Sequence, residues 1–269
     1  MNASTITSAH HIARTPRAHA LEILHAEAVG FLALIRELDA TAWHQPTACP
    51  DWTVHDVVAH VIGQHEEQAR PWLMISRIRR ARKRYPTLVT LAGHNQCQVD
   101  ARRDLPQAEL VDQFATESVR GIRAMRRLPA PLRRMRISRV FPEEASALPE
   151  DSLDYLVRVL APRDFWMHRV DVADATGGPL QIGQTDREVV TQVIADLATQ
   201  WTGPSALLDL NGPAGGRWTL GDSGTPTATL TADAIVYMRH LSGRPSRGQV
   251  RIDGNSTTRE ALEKARVVF

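Results

Sequence analysis

Asp164 and His168 stand four residues apart in the segment Arg163-Asp164-Phe165-Trp166-Met167-His168. In an α-helix that spacing puts both side chains on one face. A carboxylate and an imidazole so placed make a two-point clamp for a divalent metal ion, and in a helical bundle a facing helix can supply the remaining ligand. His60 is the best third ligand. It sits among Val57, Val58, Ala59, Val61 and Ile62, so it points near a core, where an imidazole without a polar partner is costly. Two histidines and one carboxylate suit Zn²⁺ or a similar ion and leave positions open for water or substrate, an arrangement that suggests catalysis. Asp171 and His65 are rival ligands on the same grounds, and Asp164 with His168 could equally be a surface i, i+4 pair. Spacing alone leaves these open.

These residues need elements to carry them. Residues 20–38 repeat apolar side chains (Leu21, Leu24, Ala28, Leu32, Ile35) at helical spacing. A loop with Trp43, Cys49 and Trp52 follows. Thr53 and Asp56 then open the helix that carries His60, expected to run to Arg70, where Pro71 breaks it. Residues 87–103 read as helical, and Pro106 opens a further helix reaching Arg127. The helix of Asp164 and His168 starts at Asp151 or Ser152, bends at Pro162 and stops at Gly177-Gly178-Pro179. Beyond it the texture changes. A helix over 186–201 is followed by short strands at 207–210, 217–220, 227–230 and 249–253, by a helix over 231–241 capped by Thr231, and by a closing helix. The expectation is an α+β chain: an up-and-down helical bundle over 1–182 and a small α+β domain over 183–269.

Bulk composition excludes several classes. The chain has 269 residues, 43% hydrophobic and 23% charged, an ordinary globular balance. No apolar run approaches the ~18–20 residues of a membrane span, and Met1 to Ala18 lacks the apolar stretch of a secretory signal. A cytoplasmic protein without a membrane partner is expected. A net charge of +2 gives no general case for nucleic acid, and the basic clusters at 77–84 and 133–139 read as solvated faces. Two cysteines, Cys49 and Cys97, exclude a disulfide framework. Cys49 reads as part of a structural loop.

The stretch from Pro46 to His60, PTACPDWTVHDVVAH, resembles the one that opens the metal-bearing domain of mycothiol-dependent maleylpyruvate isomerases and their actinobacterial relatives, within the wider DinB-like helical bundles. Asn95-x-x-x-Val99-x-x-Arg102 and Arg163-Asp164-x-Trp166-x-His168-x-x-Asp171 are similar to two further stretches of that family. Residues 231–254, with Ser242-Gly243-Arg244, resemble its small sterol-carrier-like domain. The resemblance implies zinc ligands at His60, Asp164 and His168, with one departure: the isomerase has Glu where this chain has Asp164, which reaches one methylene less far. It also implies a low-molecular-weight thiol of the mycothiol type as cosubstrate and a small electrophile as substrate, for isomerisation or S-transfer. Arg244 is then the candidate clamp for a substrate carboxylate, and Asn95 and Arg102, on one helix face, are candidates to line the pocket. A non-enzymatic binding or regulatory protein on the same scaffold is the rival reading.

Overall fold

The computed structural model describes residues 6–221, 224–245 and 248–269. Its chain forms two units, one of residues 16–146 and 150–180, the other of the segment ending at Thr15, residues 147–149, and 181–269. The main division thus falls two residues before the boundary read from the sequence. The N-terminal segment, read there as part of the bundle, belongs to the sheet-bearing unit.

The first unit is a helical bundle: α1 (Arg17–Arg36), α2 (Val54–Ala69), α3 (Pro71–Arg84), α4 (Thr90–Asp100), α5 (Gln107–Arg127) and α6 (Ala161–Thr176), with short helical turns at Ala130–Arg133 and Pro142–Ala145. Its core is the stripe the periodicity foretells. Leu21, Leu24, Phe31 and Ile35 of α1 meet Val57, Val58, Val61 and Ile62 of α2, Leu110 and Phe114 of α5, and Phe165 and Val172 of α6. The Phe31 and Phe114 rings stack with centroids 5.1 Å apart. By length and composition α1 could cross a membrane. Here its apolar face is spent on the core, and Glu27 in its middle is buried against Arg169 of α6.

Two local features fix the helices that matter most. Thr53 closes a capping box at the start of α2: its N–H donates to Asp56 Oδ2 at 2.9 Å, and its hydroxyl accepts from the Asp56 N–H at 3.4 Å. Ahead of α6 the sequence predicted a bend at Pro162. The chain instead inserts a π-helical turn over Leu156–Leu160, so that Ala161 N–H reaches back to Leu156 O. Pro162, which has no N–H to give, then falls in the first turn of α6.

The basic stretch at 77–84 also departs from its reading as a solvated face. It is the second half of α3, and Arg77 is buried, paired with Glu66 and, at 2.8 Å, with Glu67. Arg79, Arg80, Arg82, Lys83 and Arg84 remain exposed.

The second unit carries a five-stranded sheet: β1 (Thr7–Ser8), β2 (Ala206–Asn211), β3 (Gly216–Leu220), β4 (Ala228–Asp233) and β5 (Arg251–Gly254), in the order β1-β3-β2-β4-β5. β2 runs antiparallel to β3 and parallel to β4, with Ala206 opposite both Leu220 and Ala228. Alternation buries Ala206, Leu208 and Leu210 on the face covered by helices. Three helices complete it: α7 (Gln184–Gln200), α8 (Ala234–Leu241) and α9 (Ser256–Lys264). Thr231 does not cap α8, as the sequence suggested. It lies in β4, and Asp233 caps the helix by accepting from the N–H groups of Ile235 and Val236.

Candidate metal centre

Helix α2 presents His60 and helix α6 presents Asp164 and His168. The structure brings the three together, with donor atoms all within 4.8 Å of one another. His168 Nε2 lies 3.5 Å from Asp164 Oδ1, and the two imidazole rings meet edge to face with centroids 5.1 Å apart. His60 and His168 are 1% and 4% exposed, while the Asp164 side chain keeps 23% of its surface. The site is a buried imidazole pair with one carboxylate towards solvent.

Each ligand candidate is held from behind. His60 Nδ1–H donates to Gln98 Oε1 at 2.7 Å, which leaves the Nε2 lone pair for a cation. Gln98 is wholly buried on α4, pressed against Gly63 so closely that a Cβ there would meet Gln98 Cβ at 2.6 Å. Gln64, one turn beyond His60, donates Nε2–H to Asp164 Oδ2 at 2.8 Å. That contact steadies a carboxylate that is a methylene shorter than glutamate. Behind His168, Asp171 Oδ2 lies 3.4 Å from Nδ1, and Cys49 Sγ is 4.0 Å from the same nitrogen. The Trp52 ring covers His60 at a centroid distance of 4.9 Å, with its Nε1–H on Gln96 Oε1 at 3.1 Å.

The electrostatics split the two imidazoles. Burial, reinforced by His168, pushes His60 down to about 3, despite Asp164 and Gln98. Burial also acts against charge on His168, but Asp164, Asp171 and Cys49 outweigh it and hold that ring up at about 10. A proton on His168 therefore offsets the carboxylates, and a dication competes for the same lone pair. The donor set fits such an ion: two nitrogens and an oxygen, two of them buried, with their second atoms anchored.

The other sequence candidates are placed as follows. His65 is not part of the cluster. Its ring lies between Phe114 and Phe165 and bonds Gln68 Oε1 at 3.0 Å. Arg102 falls beyond the end of α4, so it shares no helix face with Asn95. Its guanidinium is tied to Glu66 at 2.9 Å and Gln113 at 3.0 Å. Asn95 bonds the neighbouring His94. Among the described residues no hydrogen bond joins Asn95 or Arg102 to the triad. Arg244 lies in the second unit, in the turn after α8, with its N–H on Arg239 O at 3.0 Å. Sequence reasoning missed Gln64 and Gln98. The spacing of Gln64 from His60 was a signal, since i, i+4 shares a face, whereas Gln98 carried none.

His65 gives a pH-dependent expectation of its own. Burial holds it down to about 4, against its Gln68 bond. The unfolded chain binds a proton there below the ordinary value near 6.5, and the folded chain does not until about 4. Stability present above pH 6.5 should therefore fall as pH drops through that window, by on the order of 3 kcal/mol from this residue. Denaturant unfolding of His65→Leu across pH 4 to 7 should show a shallower slope than wild type. Parallel slopes would sink the assignment.

Residues 24–173 match the family model described as the mycothiol maleylpyruvate isomerase N-terminal domain. The whole chain is also similar to two crystal structures, one of the mycothiol-dependent maleylpyruvate isomerase and one of a variant with a histidine replaced by alanine. The TM-scores are 0.56 and 0.55, each at 16% identity and each covering 94% of this chain and 98% of the other. At that identity the likeness is one of fold. Among curated proteins none matches the chain.

Proposed function

As the chain belongs to the mycothiol maleylpyruvate isomerase N-terminal domain family, we propose that it is a metal-dependent enzyme that uses a low-molecular-weight thiol of the mycothiol type to isomerise a small conjugated electrophile. The observation that carries this reading is the convergence of His60, Asp164 and His168 on one point from two helices. These three residues would hold the ion, most simply Zn²⁺, with Gln98, Gln64 and Asp171 fixing their orientation. An ion there supplies the Lewis acidity that keeps a bound thiol deprotonated near neutral pH.

The chain's own residues do the rest. Two nearly inaccessible imidazoles and the Trp52 ring limit water on one side of the site, and a thiol and an electrophile would approach from the side of the partly exposed Asp164. In the reaction the thiolate forms a C–S bond to one end of the conjugated double bond, and the displaced electron pair moves onto the neighbouring carbonyl. Rotation about the resulting single bond follows. The electron pair then returns and expels the same thiolate. No oxidant or further reactant is consumed. Positioning the electrophile is the remaining task, and a guanidinium fork on its carboxylate would suit it.

The test uses purified full-length protein and maleylpyruvate as first substrate. Turnover should need both the ion and mycothiol, and should disappear on chelation and return with Zn²⁺. Isomerisation that proceeds without any thiol, or with the metal stripped, sinks the reading. Stoichiometric metal with no turnover of any thiol adduct would favour the rival, a ligand-binding protein.

A further inference from the structure

Three donor atoms meet on the far side of the His168 ring. Cys49 Sγ lies 3.5 Å from Asp171 Oδ2 and 4.0 Å from His168 Nδ1, and that oxygen is 3.4 Å from that nitrogen. A tetrahedral ion bound at about 2.3 Å to sulfur and about 2.0–2.2 Å to nitrogen and oxygen spreads such donors about 3.3–3.6 Å apart. Two edges of the triangle already match, and a few tenths of an ångström close the third. Without an ion the thiol donates to Asp171 Oδ2 along the 3.5 Å edge, so an ion bound there takes the place of the thiol proton.

The loop that delivers the thiol is fixed at both ends. Thr47 N–H and its hydroxyl both bond Trp52 O, at 3.0 and 2.9 Å, and Cys49 N–H donates to Thr47 Oγ1 at 3.1 Å. Asp51 takes a left-handed φ of 64° to make the turn. Asp171 is wholly buried. A thiolate and a carboxylate against a dication give a neutral buried complex, with the thiol proton released to solvent.

We propose that Cys49, Asp171 and His168 Nδ1 form a second cation site, suited to a thiophilic divalent ion of the size of Zn²⁺, with Cd²⁺ as its spectroscopic probe. It shares His168 with the triad of His60 and Asp164. A neutral imidazole offers one lone pair, so the two sites are alternatives. With the ion on Nε2, Nδ1–H faces Asp171; with the ion on Nδ1, Nε2–H faces Asp164, and each carboxylate orients the ring for the other site. A soft ion that takes Cys49 thereby withdraws His168 from the site proposed for the reaction. Only that competition rests on the functional reading, since the second site does not need His60.

The experiment titrates full-length protein, free of added thiol, with Cd²⁺ and follows the ultraviolet thiolate-to-metal charge-transfer band. Wild type, His60→Ala and Cys97→Ser should each show the band at stoichiometric ion, and Cys49→Ser should lose it. No band in wild type, or a band that survives Cys49→Ser, overturns the site. A band lost in His60→Ala as well means that Cys49 serves the His60 ion, which also overturns a separate site. Zn²⁺ retention by Cys49→Ser reports on the triad independently, so failure of the second site and failure of the functional reading give different patterns.

Discussion

Glu27→Ala should lower the unfolding free energy by about 3–5 kcal/mol, and Arg169→Met by a similar amount. The two side chains form a fork in the middle of the bundle, Arg169 Nε to Glu27 Oε2 at 2.8 Å and NH2 to Oε1 at 3.3 Å. They retain 7% and 2% of their side-chain surface. Removing one partner takes this fork from the other charge where water cannot replace it, and that desolvation cost dominates the pair's own net worth. The double variant Glu27→Leu with Arg169→Met should accordingly recover most of the loss. Urea unfolding of the three variants decides the matter. Single variants within about 1 kcal/mol of wild type, or a double variant worse than either single, would show that the pair is not desolvated as described. The consequence reaches the site, because Arg169 follows His168 and ties α6 to α1.

The pair also illustrates what a sequence does and does not make legible. Glu27 breaks an otherwise apolar stripe in α1, and nothing in the spacing of 142 residues between it and Arg169 announces a partner. The triad was easier. Asp164 and His168 are fixed on one face by helical period alone, and His60 stands out because an imidazole inside a valine stripe needs an explanation. Gln64 shares a helix face with His60 by its i, i+4 spacing, but Gln98 is not readable in that way, since a neutral amide is at home on any helix face. The role of Gln98 depends on how closely α4 approaches α2 at Gly63.

The fold shows the same division. The α+β class and four of the strands follow from local pattern, because alternation and Gly/Pro turns are short-range signals. β1 is two residues long and owes its existence to its partner, with Thr7 opposite Trp218. Thr231 was misread as a cap because Thr and Asp233 both suit that position. The strand claims Thr231, and Asp233 is left to cap. At Pro162 the missing N–H is legible, but the local pattern does not say whether the chain answers with a bend or with a π turn, in which Val157 and Val159 are buried.

His60→Ala and His168→Ala should each weaken metal binding by on the order of 10²- to 10³-fold. That is one ligand's share of the about 10–16 kcal/mol with which closed zinc sites bind. Helix content should hardly change, since neither imidazole carries the hydrophobic contacts of the bundle core. Asp164→Asn separates charge from shape: the amide of Gln64, which now donates to Asp164 Oδ2, can turn over and present its oxygen to the new NH₂ group. Folding is then preserved while the ion loses a negative ligand. Gln98→Leu leaves all three ligands in place and removes only the acceptor that fixes the His60 tautomer, so a smaller loss of about 10–100-fold is expected. The ordering carries the argument: ligand histidines first, the orienting glutamine after them. Competition titration against a chromophoric chelator, with circular dichroism on the same samples, measures both quantities. Wild-type affinity in either histidine variant would remove that residue from the ligand set. The two histidines should also differ from each other. His60→Ala weakens only the site on the Nε2 side, whereas His168→Ala takes away the one ring that both sets of donors surround and should leave no high-affinity site for Zn²⁺ or Cd²⁺.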